Sequence, residues 1–138
     1  MSERYKAFDA EAPYFITFTL VEWIPLLNMP EFASILIDSL KFCVQNKRLL
    51  IFGNSFMPSH VHLIVKSGLF PLGAIIRDLK KFSAIQISGV TQETEKYREY
   101  FKVFQNNATD IKRKKHVKVW QDGYHPEIIF SNNFFSKA

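Results

Sequence analysis

The sequence predicts an α+β domain in which an antiparallel sheet carries helices on one face. Strand patterns and amphipathic helix patterns follow one another in the order strand, helix, strand, strand, helix, strand. Only a short proline-containing turn separates the two central strands. The chain has 138 residues, of which 47% are apolar, enough for one core. This order is that of a ferredoxin-like sandwich, and we expect residues 1–138 to form one domain.

The first strand and the first helix follow from two different periodicities. Residues 12–23, "APYFITFTLVEW", alternate aromatic or β-branched residues with threonine, as strands do, and Pro25 and Pro30 close this segment. Residues 31–46 repeat apolar side chains every three or four positions, which predicts an amphipathic helix. The residues predicted to form its apolar face are Phe32, Leu36, Leu40, Cys43 and Val44, and those predicted to lie outside are Asp38, Lys41 and Gln45.

A hairpin and a second helix follow. Residues 48–58 and 59–67 are apolar runs that meet near Met57 and Pro58, and because proline cannot donate to a ladder the turn belongs there. Residues 71–88 predict a helix with Arg77, Lys80 and Lys81 directed away from its apolar face, which contains Leu72, Ile75, Ile76, Leu79 and Phe82.

The last third of the chain has weaker patterns. Residues 89–107 are polar and charged, and both a helix and an insertion loop fit them. Residues 117–131 have strand character that is interrupted at Asp122 and Gly123. Ser131 is a good N-cap residue, so we expect a helix to begin there.

Composition limits the classes of function. The chain carries 18 Lys and Arg against 13 Asp and Glu, a net charge of +5, so its surface should attract polyanions. A single cysteine, Cys43, cannot form an internal disulfide, and we expect it in the core of a protein from a reducing compartment. The sequence has no signal-peptide pattern and no apolar run near the roughly 18 residues that span a bilayer. We therefore predict a cytoplasmic protein that does not contact membranes.

Two histidines, His60 and His62, stand one residue apart in the second hairpin strand. Side chains at i and i+2 of a strand point the same way, about 6.6 Å apart, so the two imidazoles could converge on one ion while Val61 faces the opposite side. The alternative is a solvated or locally hydrogen-bonded pair. Two imidazoles also leave a metal site incomplete without a further ligand.

The string "MPSHVHLIV", the following "RDLKKFSA" and the later "VWQDGYH" resemble the single-tyrosine HUH transposases, including the group associated with repetitive palindromic sequences. The resemblance covers about residues 14–138. It implies that His60 and His62 are catalytic residues that hold Mg²⁺ or Mn²⁺ on a central strand. It also implies that a mobile-element enzyme cleaves and rejoins single-stranded DNA at hairpins through a phosphotyrosine intermediate.

The sequence departs from this family at its nucleophile. The family's tyrosine lies on a helix after the last strand, in a pattern like Tyr-Ile-x-x-Asn-Pro, whereas this chain reads "IIFSNNFFSKA" there. Tyr124 is the nearest substitute among the five tyrosines, Tyr5, Tyr14, Tyr97, Tyr100 and Tyr124. We expect the nucleophile helix beyond Ala138, and a chain that is inactive as written because it is truncated or is a natural remnant.

Two groups of side chains are candidates for DNA contact. The candidates for phosphate contact are Lys66, Arg77, Lys80, Lys81, Lys112, Arg113, Lys114, Lys115 and Lys118. The candidates for contact with an unpaired base are Trp120, Gln121, Tyr124 and His125. Ordinary solvated faces are the alternative for the charges, and a place in the core is the alternative for Trp120.

Two rival functions remain open at this point. The first is a DNA-hairpin-binding protein without cleavage activity. The second is a small metal- or ligand-binding ferredoxin-like domain whose basic charge is incidental. Members of the transposase family act as monomers or as homodimers, and the sequence does not distinguish these states.

Overall fold

The computed structural model describes residues 12–68, 70–108 and 116–129. The helices and strands in chain order are β1 Tyr14–Thr19, α1 Pro30–Lys47, β2 Leu50–Phe56, β3 His60–Lys66, α2 Leu72–Glu93, α3 Arg98–Asn106 and β4 Glu127–Ile128. The four strands form one sheet in the order β2-β3-β1-β4, and every neighbouring pair is antiparallel. This is the predicted α+β fold with the strand order of a ferredoxin-like sandwich.

The two central strands bury every second side chain. Ile16 and Phe18 of β1, and Val61, Leu63 and Val65 of β3, are at most 1% exposed, whereas the side chains between them are half-exposed. The buried side of the sheet packs against α1 and α2, whose buried residues belong to the same core. Each such side chain contributes about 1.5–3 kcal/mol when fully buried. The other side of β3 and β1 is the open side of the sheet.

The first helix has the extent that the sequence predicts, to within one residue at each end. Pro30 suits the first helical position because its missing N–H would have no partner there. The helix ends at Arg48, which has a left-handed φ of 57° and whose N–H bonds to Cys43 O. One detail of the prediction was wrong: Val44 is 42% exposed, because it faces a groove beside β2 instead of the core.

The hairpin forms where the sequence predicts. Met57 and Pro58 lie in its turn, which is closed by a 2.8 Å bond from Met57 N to His60 O. The β2–β3 register shifts between Ile51 and Gly53, and Phe52 at this irregularity is 56% exposed. Strand β2 lies at one edge of the described sheet, and it exposes the aromatic side chain of Phe52.

Helix α2 runs five residues past its predicted end at residue 88 and is followed by a 3-10 turn, Glu95–Tyr97, and by α3. Of the two alternatives for residues 89–107, the helix is therefore the observed one. Tyr97 and Phe104 are buried against the main core, which explains why this polar segment folds onto the domain.

The predicted final strand over residues 117–131 was too long. Only Glu127–Ile128 form a ladder with β1, and an isolated bridge joins Trp120 to Leu20. Between them the backbone turns at Gly123 and His125, which have positive φ values of 84° and 45°. The helix expected from Ser131 lies outside the described residues. Within those residues, no helix is long and apolar enough to cross a membrane.

Candidate metal and nucleic-acid site

His60 and His62 project from β3 onto the open side of the sheet. Their ring centroids lie 5.0 Å apart with the ring planes at 80°. Val61 between them is completely buried on the opposite side, as the strand spacing predicts. Lys66 has the same strand parity as the two histidines and lies on the same side.

A hydroxyl group engages the Nδ1 atom of each ring. The Oγ1 atom of Thr17, which stands opposite His62 in the β1–β3 register, lies 2.9 Å from His62 Nδ1. The Oγ atom of Ser59 lies 3.2 Å from His60 Nδ1. In the tautomer that donates from Nδ1, each ring keeps its Nε2 lone pair for a metal ion.

The surroundings of His62 favour the neutral imidazole that binds metals. Burial lowers the pKa of His62 below its usual value of 6.5, and the neighbouring His60 adds to this effect. The ring of Phe15 stacks on His62, with centroids 5.4 Å apart and planes at 15°. At neutral pH the His62 ring is therefore mostly uncharged.

The two imidazoles fit a divalent ion only as part of its ligand set. The described residues contain no group of three or more His, Cys, Asp or Glu side chains that could share one ion. Two nitrogen donors suit a transition ion such as Mn²⁺ better than Mg²⁺, which prefers oxygen ligands. The remaining ligands would have to be water, DNA phosphate or groups outside the described residues.

The positively charged candidates on α2 and after it are exposed, bonded to other residues or outside the described part of the chain. Arg77 and Lys81 are exposed on α2, as predicted. Lys80 does not point away from the fold as predicted, because its Nζ donates to Gln121 O and Gly123 O, both at 2.8 Å. Lys118 forms an ion pair of 3.2 Å with Asp122. The remaining candidates, Lys112, Arg113, Lys114 and Lys115, lie outside the described residues.

Trp120 is not available to the predicted cluster for base contact. Trp120 is 5% exposed and its Nε1 donates to Ser83 Oγ at 3.0 Å, so the indole belongs to the core and cannot stack on a base. Gln121 donates to Leu20 O at 3.3 Å. His125 is exposed in a left-handed turn. The strand that would have aligned these side chains is interrupted at Gly123 and His125, which have positive φ values.

The described tyrosines are buried, stacked on one another or packed against a helix. Tyr14 and Tyr97 are both 4% exposed, and the Tyr97 hydroxyl donates to the Glu31 carboxylate. Tyr100 stacks on Tyr97. The Tyr124 hydroxyl lies 3.2 Å from where a Cβ on Gly73 would be, which places it against α2. The Tyr124 backbone carbonyl accepts a 2.9 Å bond from the N–H of Thr17, and Tyr5 lies outside the described residues.

Solved structures of two DNA-transposition proteins resemble this chain. A REP-associated tyrosine transposase bound to a REP hairpin matches 91% of the chain with a TM-score of 0.63 at 13% identity. A protein from Deinococcus radiodurans R1 that is described as a transposase matches 95% of this chain, with a TM-score of 0.55 at 17% identity. The chain has a transposase-like fold.

The extent of the match differs between the two structures. The chain spans about three fifths of the REP-associated protein (61%) and most of the Deinococcus protein (88%). No protein-family model matches the chain, and no curated protein matches it. At these identities the likeness establishes the shared fold and does not extend to the chemistry of the side chains.

The sequence identified neither Thr17 as a neighbour of His62 nor Trp23 as an exposed aromatic residue. Thr17 was assigned only to a strand, although its place opposite His62 follows from the β1–β3 pairing. Trp23 was assigned to the end of the same strand, but it lies in a 3-10 turn and is 67% exposed. The nearby Pro25 was the one local signal that the strand ends early.

Proposed function

We propose that this chain is the DNA-handling domain of a tyrosine transposase that acts on hairpin-forming single-stranded DNA. One observation carries the proposal. Two imidazoles share the open side of the sheet, each with its Nδ1 held by a hydroxyl, in the fold of a transposase that was solved with a hairpin. A pair that served only to fill a solvated face would not need both rings oriented in this way.

The chain's own residues have separate roles in this proposal. His60 and His62 would hold a divalent ion through Nε2, while Thr17 and Ser59 fix the ring orientations. When bound, such an ion polarises a phosphate and offsets the charge that develops on it. Lys66, on the same side of β3, adds positive charge for the DNA strand.

Strand cleavage would need a tyrosine hydroxyl beside the bound phosphate. In that step the tyrosine oxygen forms a bond to phosphorus, the bond to the 3′ oxygen breaks, and a 5′-phosphotyrosine and a free 3′-hydroxyl result. Among the described tyrosines, those at positions 14 and 97 are buried, that at 100 stacks on Tyr97 and that at 124 packs against Gly73. This observation favours a second candidate, hairpin binding without cleavage.

Metal titration tests the role of the histidine pair. We expect Mn²⁺ binding, followed by electron paramagnetic resonance, to be lost in the double variant His60→Ala plus His62→Ala. The matched control is His116→Ala, because His116 is an exposed histidine on a different segment. Most of the hairpin affinity should remain in the double variant because phosphate contacts dominate DNA affinity. A collapse of hairpin affinity in a folded double variant would show that the pair contacts DNA directly.

A denaturing gel separates the two candidate functions. Residues 1–138 are incubated with a hairpin oligonucleotide and Mn²⁺, and a covalent protein–DNA band is sought. We expect hairpin binding and no covalent band, because Tyr14 and Tyr97 are buried and the Tyr124 hydroxyl packs against α2. A covalent band would favour the transposase with its nucleophile in this chain, and Tyr124→Phe and Tyr5→Phe would identify the residue.

A further inference from the structure

The turn after β1 holds a tryptophan in solvent. The 3-10 turn Val21–Trp23 contains two consecutive residues with left-handed backbone, Glu22 at φ 54° and Trp23 at φ 51°. Bulky side chains rarely adopt this conformation. Trp23 is 67% exposed, and its side chain has no ring contact or hydrogen bond with the rest of the described residues.

Several contacts fix this strained turn. Val21 is buried and its N–H donates to Val119 O at 2.9 Å. Ile24 is also buried, with the extended backbone that the following Pro25 requires. Asn107, just after α3, donates through Nδ2 to Glu22 Oε2 at 2.7 Å. The surrounding structure therefore determines the conformation, and the indole is held away from the core.

The turn lies at the end of the sheet where the histidine pair begins. Thr19, the last residue of β1, pairs with His60 in the register. Leu20 N donates to Ser59 O at 2.9 Å, and Leu27 N donates to Pro58 O at 2.8 Å. The chain therefore packs on both sides of Trp23 against the residues that lead into His60.

We propose that Trp23 is a stacking platform for an unpaired base of the DNA strand whose phosphate lies at His60 and His62. This inference rests on the proposed function and names a contact within it. A tryptophan on a fixed backbone has only two side-chain torsions to lose when a base stacks on it, and every base offers a π face. Trp23 thereby takes the role for which the buried Trp120 is unavailable.

Two hairpins test the proposal in a binding titration. One has unpaired nucleotides at its foot and the other has blunt ends. We expect Trp23→Ala to weaken binding of the first by a factor between about 5 and about 150, and Trp23→Phe to retain most of the affinity. Binding of the blunt hairpin should be unchanged in both variants.

A matched control removes an exposed aromatic ring elsewhere. Phe52 is 56% exposed on the outer strand β2, so Phe52→Ala removes a similar ring without touching the turn. We expect this variant to bind both hairpins as the wild type does. Equal losses from Trp23→Ala and Phe52→Ala would overturn the proposal, because a specific stacking site would then not exist.

Fluorescence gives a second readout that needs no variant. The chain has two tryptophans, and because Trp120 is buried the emission that iodide quenches arises from Trp23. The hairpin with unpaired nucleotides should shield this emission from iodide and the blunt one should not. Tight binding of the hairpin with unpaired nucleotides that leaves the Trp23 emission open to iodide would overturn the stacking role. Unchanged affinity for this hairpin in Trp23→Ala would also overturn it. Neither result would overturn the proposed function. If the wild type bound neither DNA, the proposed function would fail as well.

Discussion

Thr17 connects two strands through one side-chain contact at the candidate site. It lies on β1, and its hydroxyl is 2.9 Å from Nδ1 of His62 on β3. Partners of this kind fix the orientation of a histidine ring and the nitrogen that remains free for a metal ion. If the histidine pair holds an ion as proposed, the hydroxyl of Thr17 contributes to its binding without touching it.

Replacing this hydroxyl should weaken metal binding without changing the fold. We expect Thr17→Val, which keeps the shape of the side chain, to reduce Mn²⁺ affinity by about 10- to 100-fold because the His62 ring loses its orienting partner. Isothermal titration calorimetry is the measurement. Thr19→Val is the control, since Thr19 also faces the open side but its hydroxyl has no bond to either ring in the described structure. Equal affinities in the two variants would contradict the prediction.

The histidine pair should also make stability depend on pH. Burial lowers the folded-state pKa of His62 below 6.5, so the unfolded chain takes up this proton at a higher pH than the folded chain. The stability that the neutral ring contributes is complete above about pH 6.5 and is lost as the pH falls through the lower, folded-state pKa.

We therefore expect the melting temperature of the metal-free protein to fall between pH 7 and pH 5, and to fall less in His62→Gln. Thermal melts followed by circular dichroism measure this difference. The same decline in both proteins would show that other groups cause it.

At the scale of the elements, Lys80 joins α2 to the segment that leads into β4. Its ammonium group donates to Gln121 O and to Gly123 O, at 2.8 Å each. This segment has only a two-residue ladder with β1, so side-chain bonds supply part of its attachment. A charged donor shared by two carbonyl groups stabilises such a segment more than a neutral one does.

Two neighbouring lysines allow a matched test of this attachment. We expect Lys80→Met to lower the free energy of unfolding by about 1–3 kcal/mol, since hydrogen bonds to charged groups are worth that much. Lys81→Met removes the same charge from an exposed position of the same helix and should change the free energy by less than about 0.5 kcal/mol. Urea denaturation of both variants measures the difference, and equal losses would assign no role to the Lys80 bonds.

The elements with regular periodicity were predictable from sequence, and the irregular ones were not. Local spacing correctly predicted helix α1 and the hairpin. It also predicted that His60 and His62 lie on one side of β3 and Val61 on the other. The predicted interruption at Gly123 is present, but the second left-handed residue, His125, was not predicted, and the final strand was overestimated. No periodicity encodes such turns.

Of the candidate site, only the side of the sheet on which the two histidines lie was predictable. Strand parity placed both histidines on one side, but the hydroxyls that orient them come from β1 and from the turn before β3. Burial of Trp120 and exposure of Trp23 depend on how the segments before and after them pack across the sheet. Sequence spacing does not contain that information.

Considered as a whole, the described molecule has two unlike sides. The helices cover one side of the sheet, and the histidines with Lys66 lie on the other. The whole chain carries a net charge of +5, which favours long-range attraction to polyanions. Charges on the open side should nevertheless contribute most to DNA affinity, because that side would face the phosphates.

This difference is measurable as a salt dependence. Each phosphate that a protein neutralises adds about 0.9 to the slope of log affinity against log salt, or about 0.7 for single strands. We expect Lys66→Gln to reduce the slope for a hairpin by about this amount. Lys41→Gln, which removes the same charge from the exposed face of α1, should leave it unchanged. Equal slopes in the two variants would mean that DNA does not prefer the open side.

The position of Cys43 has a practical consequence for following this molecule in solution. It is the one cysteine of the chain, it is fully buried, and burial raises the pKa of its thiol to about 11. The native protein should therefore react very slowly with maleimide dyes near neutral pH. A cysteine introduced on the exposed face of α1 could then carry a fluorophore alone, and energy transfer to a labelled oligonucleotide would report the distance between that helix and bound DNA.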